Sequence, residues 1–395
     1  MNPELEPKET EDFSLVLGGP LYQLLLRSGL VKPPLERVTR RILLISLTAW
    51  APLLVLTILD GRFLGGVKIP FAKDLEVHVR LLVSLPLLIA AEVTIHGRMK
   101  AIVNQFLKRQ IVTPAMRPQF ARLIASALRL RNSAAIELGL LALVFVAGGF
   151  WWGGVMTLKS DTWYALIVNG QTARTPAGLW YQFVSVPLSQ FVLLRWYFRL
   201  VIWIRFLWQV SKLELNLVPT HPDRSCGLGF LDGIVFALAP FLLAQSCALA
   251  GALANRLLYD GAKLPAYYVE IGTLAAFLCL ITVGPLCLFT RSLLRARLQG
   301  LQVYGQLASE YVIGFDRKWI GGRRPSDEPL LGSGDIQSLA DLANSFAVVQ
   351  SIIPFPFGRG SLVGLVVIIA LPLLPLAFTM FSPQELAIRL VKLVL

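Results

Sequence analysis

Charged residues are scarce in this chain. Asp, Glu, Lys and Arg make up 15% of its 395 residues, whereas soluble domains carry about 25%. Hydrophobic residues make up 55%, and the mean hydropathy is +0.64. This balance argues against an ordinary soluble domain and indicates that much of the chain lies in lipid.

Histidine and cysteine are few, and familiar catalytic motifs are missing. The three histidines are too few for a multi-histidine metal site, and the four cysteines have neither zinc-site spacing nor a suitable disulfide partner. No Gly-x-Ser-x-Gly, Walker or His-Glu-x-x-His pattern occurs. We therefore expect no metal and no cofactor, and an enzyme is the less favoured class of protein.

Long apolar runs define the predicted fold. Crossing a hydrocarbon core of ~30 Å takes about 20 helical residues. Seven runs are long enough: 42–59, 79–95, 134–152, 178–194, 234–254, 271–289 and 362–381. The predicted fold is an all-α integral membrane protein with about seven transmembrane helices and cytoplasmic amphipathic helices. A re-entrant run would change the number of spans to six or eight.

The runs divide the chain into four segments. Residues 1–41 form a cytoplasmic segment with an interfacial helix over 21–30, and 42–312 hold six spans joined by basic loops. Residues 313–360 form a cytoplasmic loop and an amphipathic helix, and 361–395 hold the seventh span and a short C-terminal segment. The N-terminus is acidic, which is the wrong charge for a cleavable signal peptide. No internal repeat is evident in the sequence.

Lys and Arg residues predict the orientation. With the N-terminus in the cytoplasm, 25 of the 37 basic residues fall in cytoplasmic segments and nine in outer ones, as the positive-inside rule requires. The formal net charge of +13 is not gathered on a soluble domain, so we expect no nucleic-acid partner. Anionic lipid headgroups are the expected partner for this charge.

Polar residues inside predicted spans are functional candidates, because burying them in lipid is costly. Glu92 and His96 lie one helical turn apart near the inner end of the second span, and Glu137 begins the third span at the same depth. A structural interpretation makes Glu92 and His96 a locally neutralised pair; a functional one makes them a proton-sensitive pair facing a water-filled vestibule. Gln245 is a deep amide of the fifth span.

Two arginines continue the fourth predicted span. Arg195 and Arg199 lie among aromatic residues in what we predict is a long helix projecting inward. Their spacing near one end of the run predicts that they reach the lipid headgroups by snorkelling.

The loop between the fourth and fifth spans carries His221, Asp223 and Arg224. In a functional interpretation His221 is a base, Asp223 orients it, and Arg224 holds an anionic group such as a lipid phosphate. In a structural interpretation Thr220 and Asp223 form a capping box that starts a helix.

An amphipathic helix is predicted over 335–353. Its apolar residues recur at steps of three and four, which is typical of a helix with one packed face; they include Leu339, Leu342, Phe346 and Val349. This face either docks on the chain's own cytoplasmic bundle or contacts a partner, and a homo-oligomer is the expected assembly.

Two stretches carry a resemblance. Thr220-His-Pro-Asp-Arg224 with Gly227-Leu-Gly-Phe-Leu231, and the start of the amphipathic helix over 335–346, resemble parts of uncharacterised bacterial polytopic membrane proteins. The resemblance implies a bacterial inner-membrane location and brings no activity.

The predicted function is a membrane channel or transporter for a small ion or solute. It rests on the spans, on the lack of an extramembrane catalytic domain, and on polar residues at the inner halves of several helices. One alternative is an enzyme of the cytoplasmic leaflet that acts on a lipid headgroup. Another is a membrane scaffold or sensor that recruits a partner through the 335–353 helix.

Overall fold

Helices make up nearly all of the regular structure. The computed structural model describes residues 13–29, 37–154, 161–168, 171–321 and 332–378. The helices are α1 (Pro20–Arg27), α2 (Val38–Leu59), α3 (Leu75–Lys108), α4 (Arg117–Arg131), α5 (Ala134–Gly154), α6 (176–210), α7 (Gly233–Ala237), α8 (Ala239–Tyr259), α9 (Leu264–Ile320), α10 (Gly334–Gln350) and α11 (Arg359–Ala377).

A short hairpin accompanies the helices, which the sequence did not predict. Strands β1 (Ala165–Val168) and β2 (Gln171–Arg174) pair antiparallel just before α6. The all-α prediction is otherwise confirmed.

Five helices of the described residues are long and apolar enough to cross a membrane: α2, α3, α8, α9 and α11. The predicted third span coincides with α5, of which only Ala134–Val146 counts as a shorter apolar helix. The predicted fourth span lies in α6, which is not among the five. Length and apolar composition therefore support five spans and not the predicted seven.

The longest helix departs most from its predicted bounds. α9 has 57 residues, about 85 Å at 1.5 Å per residue, which is far more than a hydrocarbon core needs. It tightens into a 3-10 turn over Gly284–Phe289, which contains Pro285, and then continues through Phe315 to Ile320. The loop predicted to begin at residue 313 was therefore placed too early.

Three further details concern the ends and interruptions of helices. α4 ends at Arg131 and α5 starts at Ala134, so the two helices are separate. Thr113 makes no side-chain capping bond before the 3-10 turn Pro114–Met116. In α11 the 3-10 turn Leu371–Leu373, which contains Pro372, interrupts the α-helix.

α3 and α6 are structural copies of each other, although no repeat was recognised in the sequence. In α3 the cap Asp74 accepts a bond from Val77 N; in α6, 101 residues later, the cap Thr175 accepts one from Gly178 N. Each helix then makes one five-residue π turn, Arg80–Ser84 or Tyr181–Ser185, before a long α-helical part. The shared sequence Val-Ser-x-Pro-Leu, at 83–87 and 184–188, lies across this junction.

The prolines of this shared sequence explain the widened turns. Pro86 and Pro187 have no N–H to donate to the preceding turn, and their rings crowd the carbonyl four residues earlier. In each copy a π turn that ends two residues before the proline relieves that crowding, and such turns are frequent at functional sites.

The two copies run parallel and side by side. At equivalent positions of the copies, Arg80 Nη1 donates to Tyr181 Oη at 3.2 Å. Further along, Trp196 Nε1 donates to the carbonyl of Leu88 at 2.8 Å. The repeat therefore brings its two π turns to the same level of the bundle.

The N-terminal segment enters the core of the bundle just ahead of the predicted interfacial helix. Phe13, Leu15 and Val16 are buried, and the Phe13 ring lies 5.3 Å from that of Phe206. The predicted interfacial helix corresponds to α1, which ends at Arg27. The acidic residues 1–12 lie outside the described residues.

Candidate functional site

Five charged side chains from four helices meet inside the bundle. Arg199 Nη1 donates to Glu92 Oε1 at 2.9 Å, and Arg195 Nε lies 3.1 Å from Glu137 Oε1. Arg195 also lies 4.0 Å from Glu92 Oε1, and Arg41 forms an ion pair with Glu92 Oε2. We call these five residues the charge network; none of their side chains is more than 12% exposed.

The prediction that Arg195 and Arg199 snorkel to the headgroups is wrong. Both are buried, and Arg199 also lies over the Trp196 ring at 4.8 Å from its centroid. Charges inside a bundle need partners, because the low dielectric makes an unpaired ion costly. Glu92 from α3 and Glu137 from α5 supply those partners.

The predicted Glu92–His96 pair does not form. Glu92 contacts the arginines, and His96 Nδ1 instead lies 2.8 Å from the Ser14 hydroxyl of the N-terminal segment. Glu137 is also tied to that segment, because its Oε2 accepts a bond from Leu21 N at 2.8 Å. Glu92, His96 and Glu137 thus lie in one packed region rather than along an open vestibule.

The charge network holds three arginines and two glutamates, so one positive charge is in excess among the five. Within the described residues, the buried Arg41 Nε has no hydrogen-bond partner, and its ion pair with Glu92 is not aligned as a hydrogen bond. The network ties α2, α3, α5 and α6 together.

A cavity of about 550 Å³ lies between α3, α6 and α8. It extends along α3 from Glu76 to Leu88, about 18 Å of helix. Its polar lining combines serines, amides and the π turns of both repeat copies: Arg80, Ser84, Tyr181, Ser189, Gln190, Gln245 and Asn255. We call this space the central cavity.

Gln245, a candidate pathway residue from the sequence, lines the central cavity together with Gln190 of α6. The small residues Ala244, Ala248 and Ala252 line it as well. The close approach of α8 to α3 occurs at Gly251, where an added Cβ would lie 3.0 Å from Val79 Cβ. The side chains of Ala244, Ala248 and Ala252 are small and leave room for the central cavity.

One end of the central cavity carries charged groups. Its lining includes the carboxylates of Asp74, Glu76 and Asp260 and the cations Arg80 and Arg256, an excess of one negative charge. Arg80 pairs with Glu76 one turn away.

Asp74 is held rigidly within this lining. Its Oδ1 accepts a bond from Asn255 Nδ2 at 2.7 Å, and its Oδ2 accepts one from Trp163 Nε1 at 2.8 Å.

The other end of the central cavity is apolar. Leu88 and Leu193 line it there, and Glu92 lies one helical turn beyond Leu88. The charge network therefore begins directly past the apolar end of the central cavity, on the same two helices.

The 218–229 loop is organised around Asp223. Its Oδ1 accepts bonds from Ser225 N at 2.9 Å and Gly227 N at 3.1 Å, and its Oδ2 accepts one from Gly229 N at 2.9 Å. The predicted capping box is wrong, because the next helical turn begins at Gly229. Burial alone would raise the pKa of Asp223, but these backbone bonds hold that pKa below its usual value.

His221 and Asp223 do meet, since His221 Nδ1 lies 2.9 Å from Asp223 Oδ1. Arg224 takes part through its backbone carbonyl, which accepts a bond from Ile353 N at 3.0 Å. Arg224 and Cys226 both have positive φ. Burial also raises the pKa of the Cys226 thiol to about 12, which keeps it protonated at neutral pH.

We expect Asp223→Asn to destabilise the protein by about 1–3 kcal/mol, because its amide nitrogen cannot accept the bond from Gly229 N. Since the pKa of Asp223 is lowered on folding, its stabilisation is present above the unfolded pKa of about 3.9 and is lost as pH falls through the folded value. Thermal unfolding midpoints from pH 3 to 8 test this. A gap between variant and wild type that is equally large at pH 3 would contradict it.

The predicted amphipathic helix is α10, and its apolar face packs on α9. Val349 is fully buried, and an added Cβ at Gly300 of α9 would lie 3.0 Å from Val349 Cγ1. Phe346 lies beside Gly305, and Leu339 and Leu342 are half-buried. The prediction that this face docks on the chain's own bundle is confirmed.

Polar contacts fix the register of this antiparallel pair. Arg297 Nη2 donates to the Gln350 carbonyl at 3.1 Å, and Tyr311 Oη donates to the Asp335 carbonyl at 3.1 Å. The Asp335 side chain accepts bonds from Lys318 and Trp319, which lower the pKa of its carboxyl.

Comparison with known proteins adds no family to this description: no protein-family model, curated protein or solved structure matches the chain.

Proposed function

We propose that this chain is a multi-pass membrane channel or transporter for a small ion or polar solute, and that the central cavity is part of its pathway. The observation that carries the proposal is a cavity of about 550 Å³ among apolar helices, lined by Gln190 and Gln245. A solute that leaves water loses its hydrogen bonds to water, and amides and hydroxyls at this depth can replace them. These protein groups also need a polar partner there.

The location of the central cavity supports the same proposal. It lies between two parallel copies of one repeat, and repeat interfaces commonly hold the sites of transport proteins. The excess of one negative charge in its lining favours cations and neutral solutes over anions. The apolar end at Leu88 and Leu193, followed by the charge network, is the proposed closed end.

We propose seven spans, adding α5 and α6 to the five apolar helices. α6 runs parallel to α3 through the Arg80–Tyr181 and Leu88–Trp196 bonds, so a membrane crossed by α3 is also crossed by α6. α5 packs on α6 through the Glu137–Arg195 ion pair. The distribution of Lys and Arg supports a cytoplasmic N-terminus, in a bacterial inner membrane.

The two alternatives have less support. His221 and Asp223 lie together as a lipid-headgroup enzyme requires, but both oxygens of Asp223 accept bonds from backbone amides of its own loop. A scaffold that recruits a partner through Phe346 and Val349 requires a free face, and α9 covers that face.

The test is flux into proteoliposomes of the purified protein, across K⁺, Na⁺, H⁺, Ca²⁺ and Cl⁻, against empty liposomes. We expect selective flux that falls on the order of tenfold in Ala248→Leu, which is about 1.4 kcal/mol in barrier height, because the larger side chain fills the central cavity. Ala250→Leu is the matched control, since Ala250 lies on the same helix and packs on a different apolar cluster.

Two outcomes would count against transport. One is flux at the level of empty liposomes for folded wild-type protein with every ion and with a small neutral solute such as glycerol. The other is an equal loss of flux in Ala248→Leu and Ala250→Leu, which would show that the loss does not come from filling the central cavity.

A further inference from the structure

A second cavity, of about 780 Å³, lies between the end of α6 and the part of α9 beyond its 3-10 turn. Among the described residues, its lining contains the cations Lys212, Arg291 and Arg295 and a single carboxylate, Glu214. We call it the basic groove. It is separate from the central cavity and shares no lining residue with it.

The cations of the basic groove are available to a ligand. Arg291 and Arg295 lie one helical turn apart on α9, and both are exposed. Across the described ranges, neither guanidinium pairs with a carboxylate, in contrast to the charge network. Lys212 Nζ lies over the Trp208 ring, 3.4 Å from its centroid, which positions its charge without neutralising it.

The basic groove lies where apolar helix gives way to polar chain. The apolar part of α9 ends at Phe289, directly before Thr290 and Arg291, and α6 ends at Val210, directly before Ser211 and Lys212. Trp208 is 46% exposed at this level, as expected for an aromatic residue at the headgroup level. Basic pockets between helices at this depth suit anionic lipid headgroups.

We propose that the basic groove binds a phosphate group, presented by an anionic phospholipid of the adjacent leaflet. Arg291 and Arg295 hold the phosphate oxygens through charge-assisted hydrogen bonds. Lys212 adds the third positive charge. Leu288 in the same lining offers apolar surface to the glycerol and the first carbons of the acyl chains. This site does not depend on the transport proposal.

The experiment titrates detergent-solubilised full-length protein with short-chain phosphatidylglycerol and, separately, with phosphatidylcholine, and follows the thermal unfolding midpoint. Phosphatidylglycerol is expected to stabilise the wild type more strongly, because the choline cation is repelled by the arginines. The double variant Arg291→Gln/Arg295→Gln is expected to bind phosphatidylglycerol about tenfold more weakly or worse. Arg317→Gln is the matched control, an exposed arginine on the same helix outside the groove.

Tighter binding of phosphatidylglycerol by a variant cannot be explained by misfolding of that variant. Glu214→Gln removes the carboxylate that lines the groove in the described part of the chain and is expected to tighten phosphatidylglycerol binding severalfold. A parallel titration with sodium phosphate against sodium chloride at equal ionic strength separates the sources: an effect of phosphate without one of phosphatidylglycerol keeps the phosphate site and assigns it to a soluble anion. Wild-type affinity for both probes in the double variant would overturn the proposal.

Discussion

Replacing Glu92 with glutamine is expected to destabilise the protein by about 3–5 kcal/mol, the cost of leaving buried charges without their partner. Glu92 contacts Arg41, Arg195 and Arg199, and only Arg195 keeps a second carboxylate, Glu137. The thermal unfolding midpoint in detergent is the measurement. We expect it to fall by at least about 5 °C.

Two further variants make the Glu92 prediction specific. Glu76→Gln breaks an ion pair with Arg80 whose side chains are about a third exposed, so its cost should stay within about 1 kcal/mol. The double variant Glu92→Gln/Arg199→Gln should be less destabilised than the sum of its single variants, because it removes a buried charge together with its partner. Strict additivity would show that Glu92 and Arg199 do not stabilise each other.

The sequence predicted only part of the charge network. Glu92 and Glu137 were identified because carboxylates inside apolar runs are conspicuous. Their partners were not, since Arg195 and Arg199 lie on a different helix and their spacing near the end of an apolar run is also typical of snorkelling residues. Only the packing of α3, α5 and α6 decides between these two environments.

Two local sequence patterns, around Asp223 and in the repeat, correspond to features of the structure that the predictions did not include. Asp223 is followed by Ser225, Gly227 and Gly229, a spacing typical of an Asx turn in which the carboxylate accepts backbone bonds. The capping-box interpretation missed it. The repeat was also present, as Val-Ser-x-Pro-Leu at 83–87 and 184–188 with a cap residue ten positions before each serine.

The helices themselves were predictable because apolar composition alone identifies them. The five helices of suitable length and composition coincide with predicted runs. The bounds were less accurate where polar residues continue a helix, as in α9, whose extension beyond Phe289 is stabilised by packing against α10. The sequences of α9 and α10 do not by themselves show that these two helices pack against each other.

Gly178→Ala is expected to destabilise the protein by about 3 kcal/mol or more, because no space exists for the added carbon. A Cβ at Gly178 would lie 2.0 Å from the backbone oxygen of Tyr164 and 2.9 Å from its carbonyl carbon. Backbone atoms cannot move aside as a side chain does, and Tyr164 O is also fixed by the bond it accepts from Thr175 N at 3.2 Å. Thermal unfolding midpoint and the yield of monodisperse protein are the measurements.

Gly272→Ala is the matched control for Gly178→Ala. Gly272 lies within the helical part Tyr268–Val283, and among the described residues nothing outside its own helix backbone lies within 4 Å of an added Cβ, so alanine should stabilise the helix by about 0.5–1 kcal/mol. Val77, at the equivalent position of the other repeat copy, carries a buried side chain. The requirement for glycine at 178 therefore comes from the loop that holds Tyr164, and equal midpoints for the two glycine variants would contradict that close packing.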